Sequence, residues 1–218
     1  MTDSAKIILW DWPVRLTHWG MALLIPALWW TAEEGDIERH RWLGQALLFL
    51  ILLRLIWGLI GSEPARFVRF VRGPSAIIAY LRGEAPPLGH NPLGALSVVA
   101  LLTILLVQLG LGLLAQDEYG LVAGPLNHLV SYETAEALTG WHKWLFDFIV
   151  ALIAVHIGAV FYYMLFQRND LITPMLTGRK PVPEETPPPQ LASPRRTLVA
   201  IALAAAITSW IALGAPPS

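Results

Sequence analysis

The chain has 218 residues, 55% of them hydrophobic and 14% charged, with a net charge of −1 and a mean hydropathy of +0.54. That is too apolar for an ordinary soluble domain, so a lipid bilayer is the expected surrounding and no nucleic-acid partner is expected. Having no cysteine, the chain cannot use disulfides, thiolate zinc sites, cysteine-ligated iron–sulfur clusters or covalent haem attachment through C-x-x-C-H.

The first apolar run, Pro13–Thr31, follows WDWPVRLTHW and ends in the bulky WWTAEEGD rather than in a small-residue cleavage site. It reads as a retained span, not a signal peptide. Four further runs, Trp42–Gly61, Leu93–Ala115, Trp144–Phe166 and Thr197–Leu213, are each long enough for a hydrocarbon core of ~30 Å, which takes about 20 helical residues. The predicted fold is an all-α integral membrane protein. A four-helix transmembrane bundle occupies residues 1–178, a Pro-rich cytoplasmic linker (PVPEETPPPQLASP) lies within 179–196, and an extra C-terminal transmembrane helix with a short tail occupies 197–218.

Loop charges orient the bundle. Arg66, Arg69, Arg72 and Arg82 lie between the second and third spans, and Arg168, Arg179, Lys180, Arg195 and Arg196 follow the fourth; basic loops stay in the cytoplasm. The alternate loops carry Glu33, Glu34, Asp36, Glu38, Asp117, Glu118, Glu133 and Glu136 and should face outward. The amino terminus is then cytoplasmic, in a bacterial inner membrane, and the tail GAPPS lies outside.

Ionisable side chains inside a membrane are costly and mark function by default. His142 and His156 are fourteen positions apart, which carries the second imidazole ~21 Å along a helix and nearly back to the same face. His40 begins the second span on the outer side, and His18 lies about two turns into the first on the inner side. Depth therefore pairs His40 with His142 and His18 with His156. Two facing neutral imidazoles are the axial arrangement of a six-coordinate b haem, whereas zinc or copper wants three or four protein ligands. Arg54, fourteen residues after His40, reaches the depth of the inner pair and suits a haem propionate, or else snorkels to the cytoplasmic side. Gly20, Gly44, Gly58, Gly110, Gly112 and Gly158 would admit a flat macrocycle, but equally serve ordinary helix packing. His90 and His128 fall in loops and read as solvated or structural. Gln108 and Asp147 are intramembrane polar groups suited to proton relay, to quinone contact or simply to bonding a neighbouring helix.

The patterns LTHW in the first span, HRWLG with an Arg ten residues past its Gly in the second, GHNPLGA entering the third, and GWHKW followed by AVHIG in the fourth resemble the bacterial cytochrome b561 family. That family is similar to the cytochrome b subunits of membrane-bound nickel–iron hydrogenases. The resemblance covers roughly residues 7–178 and implies two b haems, one on His18 and His156 and one on His40 and His142. It also implies electron transfer in a respiratory chain between a quinone and a periplasmic redox protein, such as a c-type cytochrome or a hydrogenase or dehydrogenase subunit. The Pro-rich linker and fifth span depart from the simplest members. Acidic outer loops suit a basic docking partner. Two alternatives stand beside this: a superoxide:quinone oxidoreductase, with Arg39, Arg41 and Lys143 as a local positive funnel, and a non-redox assembly or transport protein with structural histidines.

Overall fold

The computed structural model describes residues 4–84, 89–117 and 119–215; Glu118 and the end of the GAPPS tail, both placed outside by their sequence context, lie outside the described residues. In chain order the elements are strand β1 (Ser4–Ile8), helices α1 (Trp12–Glu33), α2 (Ile37–Ile60), α3 (Phe67–Phe70), α4 (Pro74–Leu81), α5 (Pro92–Leu114), α6 (Tyr132–Leu165) and α7 (Ile172–Thr177), strand β2 (Arg179–Pro183) and helix α8 (Pro194–Ala212). Among the described helices, α2, α5, α6 and α8 are long and apolar enough to cross a membrane. The α1 helix has the length, 22 residues, but Arg15, His18, Gly20 and Pro26 dilute its apolar run, so it is the one expected span that falls short by composition.

Local chemistry sets the helix ends. Asp36 separates α1 from α2: its amide bonds back to the Thr31 carbonyl at 2.9 Å, and its side chain accepts the Arg39 amide at 3.1 Å. The intervening Gly35 has φ +72°, the left-handed conformation that closes helices. At the start of α5, Asn91 accepts the Gly94 amide at 2.7 Å, and the following Pro92 sits where a helix needs no N–H donor. Helix α6 has 34 residues and begins twelve residues before the apolar run at Trp144. Ser131 caps it by accepting the Thr134 amide, and the polar first turns then continue the same helix.

The described residues form two compact units. One comprises Met1–Leu16, Arg54–Ala100 and Ala154–Ala200, the other Thr17–Leu53, Leu101–Ile153 and Ile201–Ser218. In the first, β1 and β2 pair antiparallel, from Ser4 opposite Pro183 to Ile8 opposite Arg179, and Ile7, Leu9, Trp10 and Val182 are buried. The Leu9 and Trp10 amides continue the pairing onto the Gly178 carbonyl. Gly178 has φ +81°, and a Cβ there would lie 2.6 Å from the Trp10 carbonyl oxygen, so glycine is required. The Pro-rich segment is fastened down: Gln190 and Glu63 exchange bonds at 2.9 and 3.2 Å, and the Ala192 amide donates to Ser62 Oγ at 2.9 Å.

In the second unit, Leu47, Leu48, Ile51 and Leu53 of α2, Leu102, Leu105 and Leu109 of α5, and Ile149 of α6 are buried. Helix α8 is divided between the units, Thr197 and Ala200 in the first and Ala204 in the second; these three are buried, the two alanines with no exposed surface, and recur at steps of three and four. They form a single face of small residues, the arrangement that lets apolar helices approach closely. The C-terminal helix is thus a packed element.

Candidate functional site

In the unit containing Thr17–Leu53 and Leu101–Ile153, His40 in the first turns of α2 and His142 on α6 face each other. Their ring centres are 6.0 Å apart and their planes cross at 83°. Each Nδ1 lies 2.9 Å from a main-chain carbonyl, that of Leu28 for His40 and that of Gln108 for His142. A carbonyl oxygen only accepts, so Nδ1 carries the proton on both rings and Nε2 keeps its lone pair. Second bonds of this kind fix the tautomer and orientation of metal-binding imidazoles.

Gln108 strengthens the arrangement from the other side, donating Nε2 to the His142 carbonyl at 2.9 Å. Of the three roles its sequence position allowed, the structure shows the helix-to-helix bond. Gly112 lies one turn further along α5. A Cβ there would stand 2.9 Å from His142 Cε1 and 3.3 Å from Nδ1, so only glycine lets the helix lie against the imidazole. One turn beyond His40, nothing among the described residues stands within 4 Å of where a Gly44 Cβ would be, so the helix surface there is open.

His156 and Arg54 belong to the other unit. Ser97 Oγ of α5 lies 3.3 Å from His156 Nδ1. Arg54 is only 5% exposed; its Nη1 donates to the Ala65 carbonyl at 3.3 Å and its guanidinium sits 5.0 Å from the Phe67 ring centre. The neighbouring Asp11 acts on it through charge, yet both Asp11 oxygens accept the Trp57 indole N–H, at 2.9 and 3.1 Å. His18 lies in the same unit as His40, edge-on to Trp19 at 4.9 Å. The structure therefore brings His40 and His142 together, while His18 and His156 belong to different units. His128 lies on a short 3₁₀ turn, Asn127–Leu129, and His90 packs between Trp10 and Phe70. Ser97 and the clearance role of Gly112 went unread in the sequence. The spacing of Gln108 and Gly112, one helical turn, is the one signal that links them.

The sequence matches the family of prokaryotic cytochrome b561 over residues 9–178. The chain belongs to that family. No curated relative and no solved structure matches it. As a prokaryotic cytochrome b561 it is a multi-pass bacterial membrane protein, a b-type cytochrome of electron transfer. The residues fit the haem b that this family binds. A metal–imidazole bond is about 2 Å long, so two imidazoles sharing one iron have ring centres roughly 6 Å apart, the separation observed for His40 and His142. Among the described residues no three His, Asp or Glu side chains gather to hold a metal. A haem iron asks for only two, because the porphyrin supplies the remaining nitrogens.

Proposed function

We propose that this cytochrome b561 carries electrons across the membrane through two b haems, between the quinone pool and a periplasmic redox protein. In this reading His40 and His142 ligate the outer haem, His18 and His156 ligate the inner one, and Arg54 meets a propionate of the inner haem. The chain crosses the membrane with its amino terminus in the cytoplasm, and α1 spans despite its weaker hydropathy because its polar residues face the bundle. When bound, haem supplies reversible one-electron chemistry; the protein's contribution is to fix, bury and tune it.

The observation that carries the proposal is the His40–His142 pair, two imidazoles at iron-sharing separation with both Nδ1 protons committed to carbonyls. A haem held by such a pair would change oxidation state with little rearrangement of its ligands, since neither ring can rotate without breaking its Nδ1 bond. The two rings are half-buried and both are committed as donors through Nδ1, which suits holding an electron carrier better than moving protons as an acid–base catalyst. Acidic residues on the outward loops suit a basic partner surface.

The test is a reduced-minus-oxidised visible spectrum of the detergent-purified protein with haem counted per chain. Two low-spin b haems are expected, His142→Ala removing one and His156→Ala the other. Folded, fully loaded protein carrying one haem or none would return the four histidines to structural roles.

A further inference from the structure

Three neighbouring features in the first unit remain unexplained by ligation of the iron. Arg54 is buried, yet among the described residues it makes one hydrogen bond of the five its guanidinium can donate and no ion pair. Its natural counter-ion, Asp11, is committed to Trp57. His90, whose ring lies tilted 4.6 Å from Trp10 and 4.4 Å from Phe70, has a buried Nδ1 with no hydrogen-bond partner among the described residues. A buried polar atom left unbonded is destabilising, and a buried cation with too few acceptors more so. Such costs persist where a ligand relieves them.

We propose that His90 and Arg54 together form a receptor for one carboxylate, and that this carboxylate is a propionate of the inner haem. The inference rests on the di-haem reading above and adds to it a second group on the same acid. The sequence motif GHNP is built to hold His90 in place. Gly89 takes φ +107°, a backbone conformation that residues with a Cβ rarely adopt, and a Cβ there would lie in ordinary contact with the Trp10 ring. Asn91 and Pro92 then start α5 immediately after it. His90 is thereby held just before a helix start with its ring against those of Trp10 and Phe70, a fixed donor rather than a mobile one.

Charge supports a carboxylate. The groups that face His90 are the Trp10 and Phe70 rings and the Arg54 cation, with Asp11 behind Arg54 and held by Trp57. Burial first, and then the Arg54 charge, push the His90 imidazole down to about 3. His90 is therefore neutral beside the cation and can offer an N–H, while Arg54 has N–H groups and an unpaired charge to spend. A single carboxylate accepts from both and neutralises the one charge present. Arg54 supplies the planar fork that carboxylates favour, and the aromatic walls exclude competing water.

A propionate stabilised in this way favours the reduced haem, because its negative charge no longer opposes the electron. The experiment is spectroelectrochemical titration of the full, haem-loaded protein, resolving the midpoint potential of each haem. Arg54→Gln and His90→Phe should each make the same haem about tenfold harder to reduce, about 59 mV for one electron. The other haem should not move. His90→Phe keeps an aromatic ring between Trp10 and Phe70, and His90→Gln, which retains an N–H, should recover most of the shift. Should Arg54→Gln fail to accumulate, Arg54→Lys should shift the same haem in the same direction by less. The shifted haem must be the one that His156→Ala removes and His142→Ala spares. Two haems with potentials unmoved by His90→Phe would overturn the receptor and leave the di-haem reading standing. A wild-type protein without two haems would overturn both.

Discussion

Gly112→Ala tests the outer site where its geometry is tightest. The new methyl would stand 2.9 Å from His142 Cε1, whereas carbon atoms in ordinary contact sit about 3.5–4.0 Å apart. The ring must therefore retreat by roughly 0.6–1 Å. It is not a free end, because Nδ1 is bonded to the Gln108 carbonyl at 2.9 Å and the His142 main chain is held by Gln108 Nε2. A retreat of that size stretches the Nδ1 bond towards the distance of about 3.5 Å at which little of it remains. Overpacking of this kind costs about 1–3 kcal/mol, which on haem affinity is roughly 5- to 150-fold. The assay is haem transfer from purified protein to an excess of a haem scavenger, followed by absorbance. One haem should leave at least several-fold faster and the other at the wild-type rate. Gly110→Ala, where nothing lies within 4 Å of the added carbon, should change neither. If Gly112→Ala releases both haems at wild-type rates, the claim that α5 lies against a fixed imidazole is refuted.

Gln108→Leu should keep both haems, since the main-chain carbonyl still orients His142, but lose the side-chain bond. The cost of about 1 kcal/mol corresponds to a fall of about 2–4 °C in the unfolding midpoint. Ala200→Leu, at a position with no exposed surface, should loosen α8 by about 1–3 kcal/mol and speed proteolytic cleavage within residues 184–193, read by gel. Acid should destabilise the haem-free chain through His90: its folded-state value of about 3 lies below the unfolded value of ~6.5. Its contribution is complete above ~6.5 and is lost progressively as pH falls towards 3, by up to about 4–5 kcal/mol. Thermal melts across that window should slope less in His90→Phe.

Four of the five expected spans were legible because a bilayer imposes a length on apolar runs, and the expected starts of the runs now in α1, α5 and α8 lie within three residues of the helix starts observed, although α1 is too weakly apolar to count as a span by composition. The start of α6 was not, since its first turns are polar and only the Ser131 cap marks them. The His40–His142 meeting was legible from depth alone, as helical rise converts sequence spacing into height. What holds those rings was hidden. The carbonyls of Leu28 and Gln108 belong to the backbone, which every residue type shares, and the clearance at Gly112 depends on a neighbour thirty positions away. The strand pair was likewise unreadable: RKPVP carries two prolines and no alternating pattern, and its partner is at the opposite end of the sequence. His90 and Arg54 were each noticed in the sequence, but their shared surroundings exist only once the start of the chain, the end of α2 and the segment before α5 fold together.

That strand pair also sets an order of assembly. Its two halves, Ser4–Ile8 and Arg179–Pro183, flank the stretch of the chain that matches the family, residues 9–178, so the second is synthesised only after that whole stretch. At about 5–20 residues per second the first strand waits roughly 10–30 s for its partner to leave the ribosome. Every helix from α1 to α7 is made in that interval. A chain interrupted between residues 157 and 178 would hold His18, His40, His142 and His156 yet leave Ile7, Leu9 and Trp10 uncovered beside an open strand edge. The strand pair therefore separates a chain that has closed this unit from one that has only acquired those four histidines.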